Sequence, residues 1–234
     1  MERAIKLPER LMVIAGYIEK DAAVADIGTD HGFLPAYLAQ NKLARRIIAS
    51  DISAGSLDSA RRTAEKFGVT KMISFAVAPG LEGLDEKTAD TVVIAGVGGE
   101  TIAGILRDAP WTREHGVSLI LQPQSKTGEL CLWLRKSGYI IRNAKLAFDS
   151  GRIYVIMLIR GGDSDSELEP ELELLTRLMY NRDPLFKSYL DELIIRTRSV
   201  LDDMKNSGTP DLLDIALRLS VYLSLKEVDE KWQA

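Results

Sequence analysis

A glycine turn that carries carboxylates is the segment best suited to chemistry. The run Asp26-Ile-Gly28-Thr-Asp30-His31-Gly32 follows a short apolar stretch. A glycine there can take positive φ and lets a ligand approach the backbone closely. In open α/β sheets, ligands bind at the carboxyl ends of strands, where such turns lie. A lone Asp-x-Gly is also typical of an ordinary capping turn, so this segment alone leaves a site and a structural turn open.

The spacing within this turn separates two classes of cofactor. A dinucleotide site needs Gly-x-Gly-x-x-Gly, which presents backbone N–H groups to a pyrophosphate. Here the glycines are Gly28 and Gly32, and Asp30 stands where the second glycine would be. A carboxylate repels a pyrophosphate and attracts a cation, such as the amino group of S-adenosylmethionine. Acidic-x-Gly-x-x-x-Gly is the arrangement of methyltransferase loops, so the spacing favours S-adenosylmethionine.

A second carboxylate indicates a nucleoside. Asp51 ends the apolar run 47–51, nineteen residues after Gly32. An aspartate at this interval accepts hydrogen bonds from both ribose hydroxyls, in dinucleotide and adenosylmethionine sites alike. Asp51 therefore supports a nucleoside, and Asp30 decides between the two cofactors.

The elements that must position these residues form an α/β pattern. Seven β-rich runs alternate with helical patterns, and several are continuously apolar, as in strands covered on both faces. We predict a doubly wound, Rossmann-like sheet. Only residues 145–152 separate the last two runs, too few for a crossover helix, so these should form an antiparallel edge hairpin. The runs are 23–27, 46–51, 73–77, 91–95, 118–121, 139–144 and 153–159.

The chain divides at a Gly/Ser/Asp cluster, residues 161–166, of linker type. We predict one domain over 1–162 and a second over 163–234. In the second, Leu and Met recur every three or four residues, which predicts a helical hairpin or short coiled coil. Residues 1–160 hold 21 basic and 18 acidic side chains, whereas residues 161–234 hold 9 and 16.

Composition excludes several classes of protein. One cysteine among 234 residues rules out an internal disulfide and a thiolate zinc site. Because the chain has only two histidines, we expect no metal site. No apolar run approaches the roughly 20 residues that span a bilayer, and the start lacks a signal-peptide pattern. We therefore expect a cytoplasmic protein with no membrane partner. A monomer is compatible with the sequence, which leaves the oligomeric state open.

Several segments resemble those of the bacterial tRNA 1-methyladenosine methyltransferases that modify position 22. They are the turn 26–31, the segment Ile94-Ala95-Gly96-Val97-Gly98-Gly99 and the tripeptide Leu121-Gln122-Pro123. The opening 7–11 and the helical C-terminal part are similar too, so the resemblance covers essentially the whole chain. It implies a class I methyltransferase sheet, S-adenosylmethionine as the methyl donor, and N1 of a tRNA adenine as the acceptor.

The resemblance implies roles by position. Donor-binding residues would be Gly28, Asp30, His31, Gly32, Asp51, Ile52, Gly80 and Ala95. The loop that holds the target base would be Gly96, Val97, Gly98 and Gly99. Gln122 and Pro123 either hydrogen-bond that base or merely turn the chain, and we favour the first. Asp26 and Asp30 are the carboxylates closest to the expected path of the methyl group, and either is a candidate for catalytic assistance.

One departure from the family pattern concerns adenine recognition. Where the family usually has Gly-Asp-Gly-Leu, this chain has Ala78-Pro79-Gly80-Leu81. Pro79 cannot accept a hydrogen bond from the adenine amino group as an aspartate would. The adenine must then be read by backbone groups or by a substitute side chain.

Basic residues give a hypothesis for RNA contacts. Arg10, the pair Arg45-Arg46, the pair Arg61-Arg62 and Lys126 stand at predicted helix or strand ends around the expected cleft. The excess positive charge of the first part motivates phosphate binding there. For Arg61-Arg62, an ordinary solvated helix face is an equal alternative.

The expected chemistry needs few catalytic groups. Methyl transfer from a sulfonium is an in-line displacement that depends mainly on alignment, and adenine N1 already offers a lone pair. Three alternatives remain open. One is a methyltransferase of the same fold acting on a small molecule or protein, another is a non-catalytic adenosylmethionine sensor, and a dehydrogenase is the least favoured.

Overall fold

The computed structural model describes residues 4–114, 116–205 and 212–233. The chain forms two compact units, Met1–Glu167 and Leu168–Ala234. The functional boundary proposed from the sequence, with domains over 1–162 and 163–234, stays a prediction.

Seven strands of the first unit form one sheet. They are β1 (Ala22–Ile27), β2 (Ala44–Asp51), β3 (Ser74–Val77), β4 (Thr91–Val97), β5 (Ser118–Pro123), β6 (Tyr139–Asp149) and β7 (Arg152–Gly161). Their order in space is β3-β2-β1-β4-β5-β7-β6; β1 to β5 are parallel, and β7 is antiparallel to both of its neighbours, β5 and β6. The Rossmann-like α/β fold is confirmed. The carboxyl ends of β1, β2 and β4 meet at one edge of the sheet.

Five α-helices of the first unit flank the sheet in sequence. They are α1 (Glu9–Ala15), α2 (Phe33–Gln40), α3 (Ala54–Lys66), α4 (Gly99–Arg107) and α5 (Thr127–Lys136). Ser53 caps α3, since its hydroxyl accepts a hydrogen bond from the Ser56 N–H at 3.3 Å. Pro8 directly precedes α1, where a missing N–H costs no helical bond.

The edge hairpin predicted from residues 145–152 is confirmed, and its strands are longer than expected. The turn is Ser150-Gly151, with φ of 52° and 80°. Two residues of positive φ form the tight turn whose twist matches that of the flanking strands, so pairing continues up to Asp149 and Arg152. β7 lies between β5 and β6 and β6 forms the sheet edge.

The core explains the apolar runs. All six residues of β1 are buried, as are all six of β5, because helices cover both faces of the central strands. In α1, Ile14 is fully buried and Ala15 is 8% exposed. Helix α1 packs against β6 and β7, which brings the start of the chain to the hairpin.

The second unit is helical, as predicted. Its helices are α6 (Pro170–Tyr180), α7 (Phe186–Lys205) and α8 (Leu212–Gln233). Leu190 and Leu193 on α7 are buried, as the spacing predicts. On α6 the buried leucines are Leu174, Leu175 and Leu178, of which the spacing predicted only Leu175. The Phe186 and Trp232 rings pack with their centroids 4.9 Å apart, which joins α7 to α8.

Among residues 4–114, 116–205 and 212–233, no helix combines the length and apolar character needed to cross a bilayer. The same part of the chain holds no group of three or more His, Cys, Asp or Glu side chains that could bind a metal ion.

Candidate active site

The turn after β1, residues 26–32, is called the acidic turn below. The N–H groups of Gly28 and Thr29 donate to the Ser50 carbonyl on β2 at 2.8 and 3.1 Å. Gly28 has a φ of +76°, and a Cβ built on it would have nothing within 4 Å. The turn is therefore pinned to the neighbouring strand on one side and open on the other, which leaves room for a ligand.

Asp26 is the buried carboxylate of this turn. Its residue is only 7% exposed, and the Thr29 hydroxyl donates to its Oδ2 at 2.7 Å. Burial raises the pKa of Asp26 to about 6, although Thr29 and the positive charge of Arg10 act in the opposite direction. A cationic ligand in front of Asp26 would favour its ionised form.

Asp30 and His31 lie on the solvent side of the acidic turn. Asp30 Oδ2 and His31 Nε2 are 3.4 Å apart, and both side chains are largely exposed. His31 Nδ1 lies 3.1 Å from the Ser59 hydroxyl on α3. Asp30 takes a φ of +30°, a value tolerated better by aspartate than by most side chains. The two candidate carboxylates, Asp26 and Asp30, therefore occupy opposite environments.

Gly32 has a packing role. It has a φ of +66°, and a Cβ on it would lie 2.7 Å from Ala60 Cβ and 2.8 Å from Ala60 Cα. The second glycine of the motif is thus required where α2 starts against α3. Its predicted contact with the methyl donor stays a prediction.

The end of β2 presents a carboxylate beside apolar side chains. Asp51 Oδ1 accepts the Ser53 N–H at 2.7 Å, which leaves the other carboxylate oxygen for a ligand. Ile52 is 74% exposed, and Val77, at the end of β3, is 62% exposed. Asp51 and Val77 are register partners in the two strands. The site therefore has a carboxylate next to an exposed apolar surface formed by Ile52 and Val77. The sequence analysis did not predict Val77.

Gly80 lies in the loop that follows β3. Its φ is +55°, and a Cβ there would come within 3.2 Å of Ile105 on α4. The Ala78 N–H donates to the Asp51 carbonyl at 3.1 Å, which ties this loop to the end of β2. Pro79, which stands where the family usually has an aspartate, is exposed and follows Val77 closely in the chain.

The second turn of the site, residues 96–99 between β4 and α4, is called the glycine turn below. Gly96 has a φ of +82°, and its N–H donates to the Gln122 side-chain oxygen at 3.1 Å. A Cβ on Gly99 would lie 2.6 Å from the Lys126 carbonyl oxygen, so Gly99 permits close packing against the loop after β5. Val97 is partly buried, and a Cβ on Gly98 would be 3.3 Å from the Ser125 hydroxyl.

Gln122 lies behind the glycine turn. It is fully buried, and its Oε1 accepts from the Gly96 N–H and, at 3.3 Å, from Arg10 Nη1. Its Nε2 donates to the Pro123 carbonyl at 2.9 Å. Ala95 is the register partner of Gln122, which aligns the two strand ends.

The basic residues do not share one cleft as the sequence predicted. Arg10 lies at the glycine turn. Arg45 and Arg46 stand at the start of β2, at the opposite edge of the sheet, where Arg45 pairs with Asp90 at 2.7 Å. Their predicted place around the site is wrong because only the carboxyl ends of the parallel strands form it. The Arg61 guanidinium lies 4.6 Å from the centre of the Phe75 ring.

The sequence of this chain is similar to those of known methyltransferases. A family model described as "Methyltransferase domain" matches residues 7–157. The tRNA (adenine(22)-N(1))-methyltransferase of Bacillus subtilis (strain 168) is 36% identical over 162 residues, which cover 69% of this chain and 68% of the relative. The chain belongs to this methyltransferase family.

Solved structures of the family share the whole architecture. The B. subtilis M1A22 tRNA methyltransferase TrmK is similar with a TM-score of 0.84 and 29% identity, over 96% of this chain and 99% of that one. M. capricolum TrmK, solved in complex with S-adenosyl-homocysteine, gives a TM-score of 0.76 at 28% identity, over 95% and 98% of the two chains. The similarity to these methyltransferases therefore includes the helical C-terminal part.

Proposed function

We propose that this chain transfers a methyl group from S-adenosylmethionine to N1 of an adenine in tRNA, at position 22 as the name of its B. subtilis relative states. One observation carries the proposal. The carboxylates Asp26 and Asp51 stand at adjacent strand ends, beside a glycine turn, in a chain of this family.

The residues present fit the methyl donor. Ligand-accessible space faces Gly28, and the buried carboxylate of Asp26 favours positive charge nearby. The oxygen of Asp51 that Ser53 leaves available can accept a ribose hydroxyl. Ile52 and Val77 offer an apolar surface for a flat heterocycle. Asp30 stands where a dinucleotide site has its second glycine, and its carboxylate repels a pyrophosphate, which distinguishes this turn from a dinucleotide site.

The chemistry requires alignment more than proton transfer. When bound, S-adenosylmethionine supplies an electrophilic methyl group: the N1–methyl bond forms as the methyl–sulfur bond breaks, and the positive charge passes from sulfur to the adenine ring. No proton has to leave, so the chain needs no general base for attack. Its residues orient the base and provide negative potential for the cationic product.

Asp26 and Asp30 differ in how they can provide that potential. The Asp26 carboxylate is buried, where water screens it little, so its field acts strongly on nearby charge. The Asp30 carboxylate is exposed and lies beside His31, so solvent weakens its field. We assign the larger electrostatic contribution to Asp26, and we keep Asp30 and His31 as donor-side contacts.

The target base must reach the glycine turn from outside any duplex. Adenine N1 lies on the Watson–Crick edge, so the base has to be unpaired or extruded before it can react. The glycine turn 96–99 carries only one side chain beyond hydrogen, that of Val97, which lets a flat ring approach the backbone. Pro123, the register partner of Val97 at the end of β5, is buried, so its predicted contact with the base stays a prediction.

The experiment uses a tRNA transcript with adenine at position 22 and a matched transcript with guanine there. The full-length protein is incubated with each and with methyl-labelled donor, and the modified nucleosides are analysed by mass spectrometry. We expect labelled 1-methyladenosine from the first transcript only. Label in a metabolite or protein pool with unlabelled tRNA would instead indicate a different methyltransferase, and tight donor binding without transfer would indicate a sensor.

A further inference from the structure

We propose that Arg10 and Gln122 are positioning residues that hold the glycine turn in the shape that aligns the target base, and that Arg10 is not a phosphate ligand. The proposal rests on the proposed function, because it assigns the base to this turn. It also corrects the sequence-based expectation that Arg10 and Gln122 bind tRNA directly.

The Gln122 amide is engaged inside the protein. Its Oε1 accepts two hydrogen bonds, from the Gly96 N–H and from Arg10, and its Nε2 donates to the Pro123 carbonyl. An amide oxygen has two lone pairs, so this acceptor is saturated. Because the side chain is fully buried, the hydrogen bonds hold it behind the turn and away from an incoming base.

The Arg10 guanidinium is likewise surrounded by partners from distant segments. Nη1 donates to Gln122, Nε lies 3.7 Å from Asp149 Oδ2, and the guanidinium carbon lies 5.7 Å from the centre of the Tyr154 ring. The side chain is 24% exposed. These contacts engage Nη1 and Nε and hold the plane of the guanidinium in place. Arg10 therefore joins α1, the edge hairpin and the strand behind the glycine turn.

This arrangement matters because the backbone of Gly96 is easily displaced. Gly96 has a φ of +82° and no side chain that could restrict its backbone. The space beside it is open, since a Cβ built there would have only Gln124 and Arg10 within 4 Å, at 3.8 and 3.9 Å.

Val97 and Gly99 are tied to the loop after β5 by backbone hydrogen bonds of 2.9 Å, from the Gln124 N–H to the Val97 carbonyl and from the Gly99 N–H to the Ser125 carbonyl. At Gly96, the first residue of the turn, the hydrogen bond from the N–H to the Gln122 side chain is the contact that fixes the peptide. Arg10 adds a charged donor to the same oxygen and limits how Gln122 can rotate.

Loss of this contact should affect catalysis more than binding. A displacement of about 1 Å in the alignment of reacting groups can cost roughly 100-fold in rate. Replacing Gln122 leaves the hydrogen bonds of the acidic turn to the Ser50 carbonyl in place, whereas replacing Arg10 also removes a positive charge that acts on Asp26. For the Gln122→Met variant we therefore expect kcat to fall about 10- to 100-fold, while the KM for tRNA and the donor affinity change by no more than about twofold.

The first experiment compares Gln122→Met with Gln122→Glu. Met has a similar volume but accepts no strong hydrogen bond, whereas Glu keeps an oxygen for the Gly96 N–H and for Arg10. A positioning role predicts that Glu retains a kcat at least about fivefold above that of Met. A mere packing role predicts the opposite order, since a buried apolar isostere is tolerated better than a buried carboxylate. Finding Met at least as active as Glu overturns the proposal.

The second experiment tests the role of Arg10 with the Arg10→Met variant. Positioning predicts a lower kcat and an unchanged slope of log tRNA affinity against log salt. A phosphate contact predicts weaker tRNA binding and a slope that is smaller by about one. The double variant with Gln122→Met should cost little more than Gln122→Met alone, because both residues act on one oxygen. A smaller salt slope, or additive losses, contradicts the proposal.

A readout without activity separates this proposal from the proposed function. Hydrogen exchange of the Gly96 amide should become faster in Gln122→Met and stay near the wild-type rate in Gln122→Glu. The control is Arg45→Met, which removes an ion-paired arginine at the opposite sheet edge and should leave both exchange and kcat unchanged. If wild-type protein does not methylate tRNA, the proposed function fails while the exchange result still decides how the turn is held. Unchanged exchange in Gln122→Met overturns the positioning role.

Discussion

The acidic turn and the glycine turn both place a glycine backbone beside the site, but different hydrogen bonds hold them in position. Each has one glycine of positive φ beside the site, Gly28 or Gly96, and one that permits close packing, Gly32 or Gly99. The acidic turn is held by backbone hydrogen bonds to the Ser50 carbonyl on the adjacent strand. The glycine turn has backbone hydrogen bonds at Val97 and Gly99, but its first residue, Gly96, is held by the buried Gln122 side chain.

This difference shows where each turn can be disturbed. Backbone bonds to a neighbouring strand survive most substitutions, because every residue has an N–H except proline. A hydrogen bond from one buried side chain is lost with that side chain, and the buried N–H that remains carries a desolvation cost. We therefore expect the acidic turn to respond to its own residues and the glycine turn to respond to residues far away in sequence.

Alanine at the two glycines of the acidic turn should give the largest contrast in stability. Gly32→Ala places a Cβ 2.7 Å from Ala60 Cβ at positive φ, so it should lower the free energy of unfolding by about 2–4 kcal/mol. Gly28→Ala meets no atom within 4 Å and should cost only about 1–2 kcal/mol, from backbone strain. Urea denaturation of both variants measures the difference.

The same pair should separate stability from binding. Gly28→Ala should weaken donor affinity because its methyl group enters the open side of the turn. If Gly32→Ala were as stable as wild type, the packing role of the second glycine would be wrong.

Asp26→Asn should stabilise the protein and impair its site. The raised pKa means that the folded state holds the Asp26 proton more tightly than the unfolded state does, so this group makes stability fall as the pH rises from about 4 to about 6. A shift from 3.8 to about 6 corresponds to a cost of at most about 3 kcal/mol at pH 7. The variant should therefore unfold at a higher urea concentration than wild type at pH 7.5, with little difference near pH 3.5.

The same substitution that raises the stability should weaken binding of the methyl donor. We expect Asp26→Asn to bind S-adenosylmethionine about 10- to 100-fold more weakly at pH 7.5, since the buried negative charge is gone. Calorimetry measures the affinity for S-adenosylmethionine. The control is Asp90→Asn, which removes a carboxylate at the opposite end of the strands. Equal affinity in the Asp26 variant and in wild type would remove Asp26 from the donor site.

Donor affinity should also depend on pH in the wild-type protein. Below pH 6 Asp26 becomes protonated and loses its attraction for a cation, so affinity should fall by up to about tenfold per pH unit. Between pH 7 and 8 Asp26 stays ionised and itself contributes no further change. Titrations at several pH values test this, and the Asp26→Asn variant should lack the decline. A decline that persists in the variant would assign it to another group.

Ser59→Ala should have the smallest effect and sharpen the contrast between exposed and buried contacts. The contact between His31 Nδ1 and the Ser59 hydroxyl is exposed to solvent, so water can replace it. We expect donor affinity and kcat to change by less than about threefold, against about 10- to 100-fold in kcat for Gln122→Met. An effect of tenfold or more would show that the acidic turn, too, depends on a side chain from another helix.

Several elements could be predicted because their signals are local. The acidic turn follows from Gly28 and Asp30 directly after an apolar run, and the edge hairpin follows from the short interval 145–152. Val77 and Thr29 escaped prediction, since an exposed valine and a threonine have no distinctive pattern until the strand ends meet. The misplacement of Arg45-Arg46 has the same origin, because charge alone does not tell which end of a strand faces the site.

By itself, the sequence determined the order of strands along the chain, the acidic turn and the carboxylate at the end of β2. These depend on interactions between residues near one another in the chain, which composition and spacing record. The tertiary structure alone decided that Arg10, Gln122, Asp149 and Tyr154 lie together behind the glycine turn. Their contacts join α1, β5 and the edge hairpin, and no local pattern specifies such a meeting because it exists only once the sheet has assembled.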